Sequence, residues 1–274
     1  VDPISGLPVI SLYDGTKRAP EAADLAGLDA LLFDMQDVGA RYYTYVYTMA
    51  LSMQSASEAG IPFIVLDRPN PINGTQVQGN VLDPAFASFV GLYPVPMRHG
   101  MTPGELARLF QGEFGIDVML HVVPVFGWTR SDGFARTKLP WVRPSPNMPD
   151  VEGALHYPGL CLFEGTNLSV GRGTDRPFQQ IGAPCLDAEE LARRLEAQGL
   201  AGVRFEPVHF TPREPTDGKF AEQQVAGVRA IAIDPEVYDP TRAALAMLEA
   251  SRAQSGSRWQ WNAPHFDRLA GTDR

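Results

Sequence analysis

The sequence is short of cysteine, with only Cys161 and Cys185 in 274 residues. That is too few for a disulfide framework, although one bridge stays open. It has no excess of basic residues: the formal net charge is −9. Without a basic stripe, nucleic acid and anionic membrane surfaces are poor candidates as partners. No apolar run approaches the roughly 20 residues needed to span a bilayer, so no membrane span is expected. An initiator methionine is missing, as is a charged-then-apolar leader; Val1 runs almost directly into a strand-like Leu7–Tyr13 stretch. Such a start reads as processed or truncated. Internal repeats and low-complexity tracts are absent too.

The familiar catalytic signatures are also missing. There is no G-x-S-x-G elbow, no S-x-x-K and no Walker loop. Gly171-Arg172-Gly173 does not join a strand to a helix, as a dinucleotide motif would. The histidines at 99, 121, 156, 209 and 265 have no metal-ligand spacing. No metal and no cofactor are therefore expected.

What is present is a globular composition, 44% hydrophobic and 20% charged, with an alternating rhythm in its first part. Ala30–Phe33 is uninterrupted apolar sequence, as expected of a parallel strand covered on both faces. Val46, Met49, Ala50 and Met53 follow at helical spacing, with Gly60 as the stop. Phe63–Leu66 is the next buried strand. Strand, helix, strand makes a right-handed βαβ unit and predicts a doubly wound α/β domain. Thr102, Pro103 and Glu105 spell a capping box, and Asp187 with Glu190 repeats it. A strand over Val118–Val125 leads to Trp128 and a Pro- and Gly-rich passage through Pro149, where the domain changes. Beyond it, a helix (Ala188–Gln198), strands (Val203–Phe210 and Val228–Ile233) and a helix from Pro240 read as α+β.

In open α/β sheets, ligands sit beyond the carboxyl ends of the strands. Asp34, Gln36, Asp37 and Arg41 follow the first buried strand; Asp67, Arg68 and Asn70 follow the second. Arg98 and His99, after the Pro94–Met97 run, can join them. The structural alternative is a polar turn over Asp67–Pro71 in which Arg68 neutralises a neighbouring carboxylate. A second concentration lies in Tyr157–Phe178, where Glu164, Asn167, Arg172, Thr174, Asp175 and Arg176 stand among four glycines. A loop so polar and so permissive lets main-chain groups and arginines approach a ligand, or else is a tight turn with local ion pairs. Glu164, beside Leu162 and Phe163, is either a carboxyl whose pKa desolvation raises or one salt-bridged to Arg172 or Arg176. Carboxylates, arginines, asparagines and aromatics are the kit of a carbohydrate site, and paired carboxyl groups cleave glycosidic bonds.

Five ordered segments carry a resemblance: Phe33–Tyr45 (FDMQDVGARYYTY), Leu66–Pro71 (LDRPNP), Arg98–Thr102 (RHGMT), Pro144–Pro149 (PSPNMP) and Leu162–Asn167 (LFEGTN). Over essentially its whole length the chain resembles the exo-β-N-acetylmuramidase family (NamZ type), long catalogued as a domain of unknown function. The resemblance implies a Rossmann-like domain at 1–128, incomplete at its start, and a smaller α+β domain at 129–274 carrying the Gly-rich acidic loop. An active cleft is implied between the two, with release of terminal N-acetylmuramic acid from peptidoglycan fragments or muropeptides. It also implies a periplasmic or secreted location. Glu164 and Asp37 are then the catalytic candidates, Asp67 and Asn147 orient sugar hydroxyls, and Arg41, Arg68, Arg98 or Arg172 is counter-ion to the lactyl carboxylate. Two departures stand out. Similar proteins begin earlier, with a Pro-Glu-His-Gly motif, and continue past Arg274; they also usually carry Glu where this chain has Val170.

Overall fold

The structure, a computed structural model, describes residues 1–15 and 17–273; the last residue of the second expected domain, 274, lies outside the described residues. Along the chain run α1 (Ala22–Leu25), β1 (Leu31–Phe33), α2 (Tyr45–Ala59), β2 (Phe63–Leu66), β3 (Gln78–Val81) and β4 (Pro96–Arg98). Then come α3 (Pro103–Phe114), β5 (Leu120–Val123), α4 (Val151–Leu160), β6 (Gln180–Ala183) and α5 (Ala188–Glu196). The last elements are β7 (Val203–Phe210), β8 (Val225–Ala232), α6 (Pro240–Ser255) and α7 (Ala263–Ala270). These form two compact units. The first comprises residues 1–36, 44–69 and 101–127; the second comprises 37–43, 70–100 and 128–274.

The first unit is the α/β part. Its sheet is parallel, in the order β1-β2-β5. Phe33, Phe63 and Val65 are buried, together with Met49 and Met53 of α2 and Leu106 and Phe110 of α3. Gly60 ends α2 in the left-handed conformation that its missing Cβ allows. The box at α3 forms as its residues predict: Thr102 accepts from the Glu105 amide, and Glu105 accepts from the Thr102 amide.

Two expectations give way here. The strand-like Leu7–Tyr13 stretch forms no strand; among the described residues no strand pairs with it. Nor is β1 covered on both faces, since Leu32 is 56% exposed and Val123 in β5 is 51% exposed. The register explains it: Leu32, Ile64 and His121 align across the sheet, and Leu66 aligns with Val123. Strands added in one direction by right-handed crossovers carry their helices on one face. The opposite face stays open.

The second unit is α+β. Its antiparallel sheet has the order β6-β8-β7, and β3 pairs antiparallel with β4. The strand predicted over Val203–Phe210 forms with those bounds, whereas β8 begins three residues before its expected start, at Val225. At α5, Asp187 accepts from the Glu190 amide, but the Glu190 carboxylate turns to Arg193 at 2.7 Å instead of closing the box. α4 packs on α6 through Gly159, where a side chain would overlap the Pro240 carbonyl. Among the described residues, no helix is long and apolar enough to cross a membrane.

Candidate active site

The acidic loop takes its shape from the end of α4. Asp150 caps that helix by accepting from the Gly153 amide at 2.8 Å. The chain tightens after Leu160 into a 3-10 turn over Cys161–Gly165. Cys161, Leu162 and Phe163 are buried by this turn, while the Glu164 side chain keeps 17% of its surface exposed. Gly165 passes so close to Phe266 that a Cβ would collide with its backbone. Gly171 and Gly173 both hold φ at 78°, folding the loop back so that Arg172 returns to Glu164.

Arg172 donates from Nε to Glu164 Oε1 at 2.7 Å, and its Nη2 stands 2.5 Å from the same oxygen. Glu164 thus takes up the ion pair with Arg172 that one of its two sequence readings expected. The remaining Nη1 donates to Thr216 Oγ1 at 3.2 Å, and Asn147 Nδ2 lies 3.5 Å from that same hydroxyl. The guanidinium rests 4.9 Å from the Phe178 ring centre. Burial is the largest single influence and draws the Arg172 pKa down, but the charge and the hydrogen bond of Glu164, with Tyr157 and Cys161, together outweigh it and the net shift is upward. Burial raises the pKa of the Cys161 thiol well above its ordinary value and does the same for the Tyr157 phenol. Cys161 Sγ is 3.7 Å from Glu164 Oε2. Both cysteines are free thiols, so the single bridge left open by composition is not formed. A carboxylate, a guanidinium, a hydroxyl and an amide thus share one partly exposed patch, with donors and acceptors suited to a hydroxylated ligand.

The other residues singled out from sequence fall into different settings. Asp34 accepts from Arg68 at 2.7 Å, and Gln36 Nε2 donates to the Pro69 carbonyl, so the loops after β1 and β2 do meet. Asp67 accepts from the Gly104 amide at 2.7 Å and from Thr102 Oγ1 at 2.9 Å, holding the N-terminus of α3. Asp37 is 1% exposed; its Oδ2 accepts from the Gly39 amide and lies 3.3 Å from His99 Nε2. Asn70 is buried and accepts from the Ile72 amide across a tight turn. Asn167 Nδ2 donates to the Arg258 carbonyl and Oδ1 accepts from the Gln260 amide. Thr174 donates to the Gly171 carbonyl at 2.6 Å, closing its own turn.

Arg41 and Arg98 differ most from what was expected. Arg41 is fully buried and donates to the carbonyls of Asn80, Val95, Leu269 and Ala270 at 2.8–3.0 Å. Arg98, equally buried, donates to Gln78 Oε1 and the Ile72 carbonyl, and burial pulls its pKa down to about 10. Both guanidiniums are turned inward onto main-chain or amide oxygens.

Comparison with known proteins adds to this geometry. The family description "Exo-beta-N-acetylmuramidase NamZ, N-terminal" matches residues 1–152, and its C-terminal counterpart matches residues 155–274. The chain belongs to the NamZ exo-β-N-acetylmuramidase family. A curated relative from Bacillus subtilis (strain 168), named peptidoglycan β-N-acetylmuramidase NamZ, is 46% identical over 272 residues. That alignment takes in 99% of this chain, which spans 65% of the relative's length. Two solved structures from Bacteroides fragilis NCTC 9343, both described as DUF1343 family proteins, share the fold. One superposes with a TM-score of 0.92 at 34% identity, covering 99% of this chain and 72% of its own. The other has a TM-score of 0.75 at 31% identity, covering 100% and 71%.

Thr216 and Lys219, which no sequence motif singles out, sit in the polar loop between β7 and β8. Lys219 Nζ donates to the carbonyls of Phe163, Glu164 and Leu168 at 3.0–3.3 Å. Nothing in the local sequence marks either residue. Their place follows from how the β7–β8 connection folds back, which no spacing rule encodes.

Proposed function

We propose that this chain is an exo-acting glycosidase that removes a terminal β-N-acetylmuramyl residue from peptidoglycan fragments. Family membership supports the reaction class. The observation that carries the site is the partly exposed Glu164 carboxylate, held by Arg172 beside the Thr216 hydroxyl and the Asn147 amide. In this reading Glu164 is the catalytic carboxylate. With an arginine on one oxygen it acts as a fixed negative group, facing the positive charge that develops at the anomeric carbon of an oxocarbenium-like transition state. Asn147 and Thr216 hold ring hydroxyls. The Nη1 edge of Arg172 meets the lactyl carboxylate, since Arg41 and Arg98 are turned inward.

Asp37, sealed at 1% exposure and engaged with Gly39 and His99, is assigned a positioning role and not direct contact with sugar. With Asp37 sealed, this reading favours a route in which the 2-acetamido oxygen of the substrate bonds to its own anomeric carbon as the glycosidic C–O bond breaks, the leaving oxygen taking its proton from water, and water then opens the resulting oxazolinium ion. The test is release of a chromogenic leaving group from a β-N-acetylmuramic acid glycoside. Wild type should release it, and Glu164→Gln should lower kcat by about a hundredfold or more with its melting temperature preserved. Tight binding without release would replace the enzyme reading with that of a muropeptide-binding protein. Equal rates on the corresponding glucosamine glycoside would remove the lactyl-gripping arginine.

A further inference from the structure

Apart from Thr216, the connection between β7 and β8 has no part in the chemistry described so far, yet it closes on the acidic loop at three points. The Arg213 amide donates to the Gly173 carbonyl at 2.8 Å, and Gly173 lies against the Arg213 backbone with no room for a side chain. Thr216 takes up the Arg172 guanidinium. Lys219 reaches beneath Glu164 and donates to three main-chain carbonyls, those of Phe163, Glu164 and Leu168.

We propose that Lys219 is a positioning residue for Glu164, and that the β7–β8 segment is the strap holding the acidic loop in its working geometry. This rests on the reading of Glu164 as the catalytic carboxylate. An ammonium has three donors and no acceptor, and here all three are met by carbonyls that converge from one loop. Without a cation between them, three carbonyl dipoles pointing at one spot would repel, and the loop would open. Thr166 also ties to the Phe163 carbonyl, through its amide at 3.0 Å and its hydroxyl at 2.8 Å, but it leaves the Glu164 and Leu168 oxygens to the lysine. The turn that aims Lys219 inward is built by Asp217, whose Oδ1 accepts from the Lys219 amide at 3.2 Å while Oδ2 stands 4.0 Å from Nζ. Burial lowers the Lys219 pKa against the opposing pull of Asp217 and Glu164. The ammonium is thus a partly desolvated charge in a fixed place.

The experiment compares wild type with Lys219→Met and Lys219→Arg in two measurements. In steady-state cleavage of the muramyl glycoside, Lys219→Met should lower kcat at least tenfold while KM moves less than threefold. Lys219→Arg, which keeps the charge and several donors, should recover most of that loss. In amide hydrogen exchange, residues 164–168 should exchange at least tenfold faster in Lys219→Met, with α6 unchanged. Unaltered kcat together with unaltered exchange in a folded Lys219→Met would overturn the assignment, as would a change in KM alone. If wild type itself fails to cleave the glycoside, the functional reading falls, and the exchange measurement still decides the strap. Should Lys219→Met fail to fold, Lys219→Gln takes its place, with loop exchange again required to rise.

Discussion

Replacing Arg41 by methionine separates two roles that the sequence left equivalent. The side chain donates to four carbonyls, two of them, Leu269 and Ala270, in the last turn of α7. It therefore also serves as the cation at that helix's C-terminus. Methionine fills a similar volume but supplies no donor. Ala270 would keep the Asn80 amide at 2.9 Å and Val95 the Leu82 amide at 3.3 Å, leaving the carbonyls of Asn80 and Leu269 to lose the hydrogen bonds from Arg41. Each buried acceptor left without a donor costs about 1–3 kcal/mol. Relief from burying a guanidinium offsets part of this, and bonds sharing one cation do not add. A net loss of about 2–4 kcal/mol follows. At roughly 2–4 °C per kcal/mol for a domain of this size, the melting temperature should fall by about 4–16 °C. Lysine, which keeps the charge but not the fork, should cost about 1–2 kcal/mol. Denaturant and thermal melts measure both variants, with muramyl-glycoside kinetics taken on whatever remains folded. A methionine variant with an unchanged melting temperature and a tenfold higher KM would refute this account and return Arg41 to the lactyl carboxylate.

Two further outcomes follow from packing and burial. Gly159→Ala places a methyl on the Pro240 carbonyl where α4 crosses α6, so it should destabilise by about 2–3 kcal/mol or prevent folding; a melt within 2 °C of wild type would show that the helices can separate without cost. His156 is fully buried with Nδ1 2.7 Å from the Tyr238 hydroxyl, and burial lowers its pKa from 6.5 to about 4. The unfolded chain therefore binds the proton more readily. This contribution to stability is complete above pH 6.5 and is lost as pH falls from there toward 4, amounting to about 3 kcal/mol. Comparing His156→Gln with wild type in denaturant melts between pH 7 and pH 4 should show a flatter acid limb in the variant; parallel limbs would remove His156 as the cause.

Much of the fold was legible because its signals are local. The apolar runs at Phe63–Leu66 and Val203–Phe210, the left-handed stop at Gly60 and the box at Thr102 each depend on residues within a few positions of one another. The meeting of Asp34 with Arg68 was legible too, since parallel strands deliver their following loops to one edge. The open face of the sheet was not. Leu32 reads as buried by composition, and only the order β1-β2-β5 leaves it 56% exposed.

The sequence by itself therefore determined the types of the elements whose signals are local, the family, and the concentration of charge around Glu164. Tertiary structure decided which of those charges face solvent and which are consumed inside. Arg41, Arg98, Arg172 and Lys219 are chemically similar cations, but their partners are main-chain or side-chain oxygens between 8 and 229 positions away. Long flexible side chains meet whatever acceptor the folded backbone leaves unsatisfied near them. That acceptor exists only once distant segments have packed, which is why composition could name Arg41, Arg98 and Arg172 but not sort them, and gave no sign of Lys219.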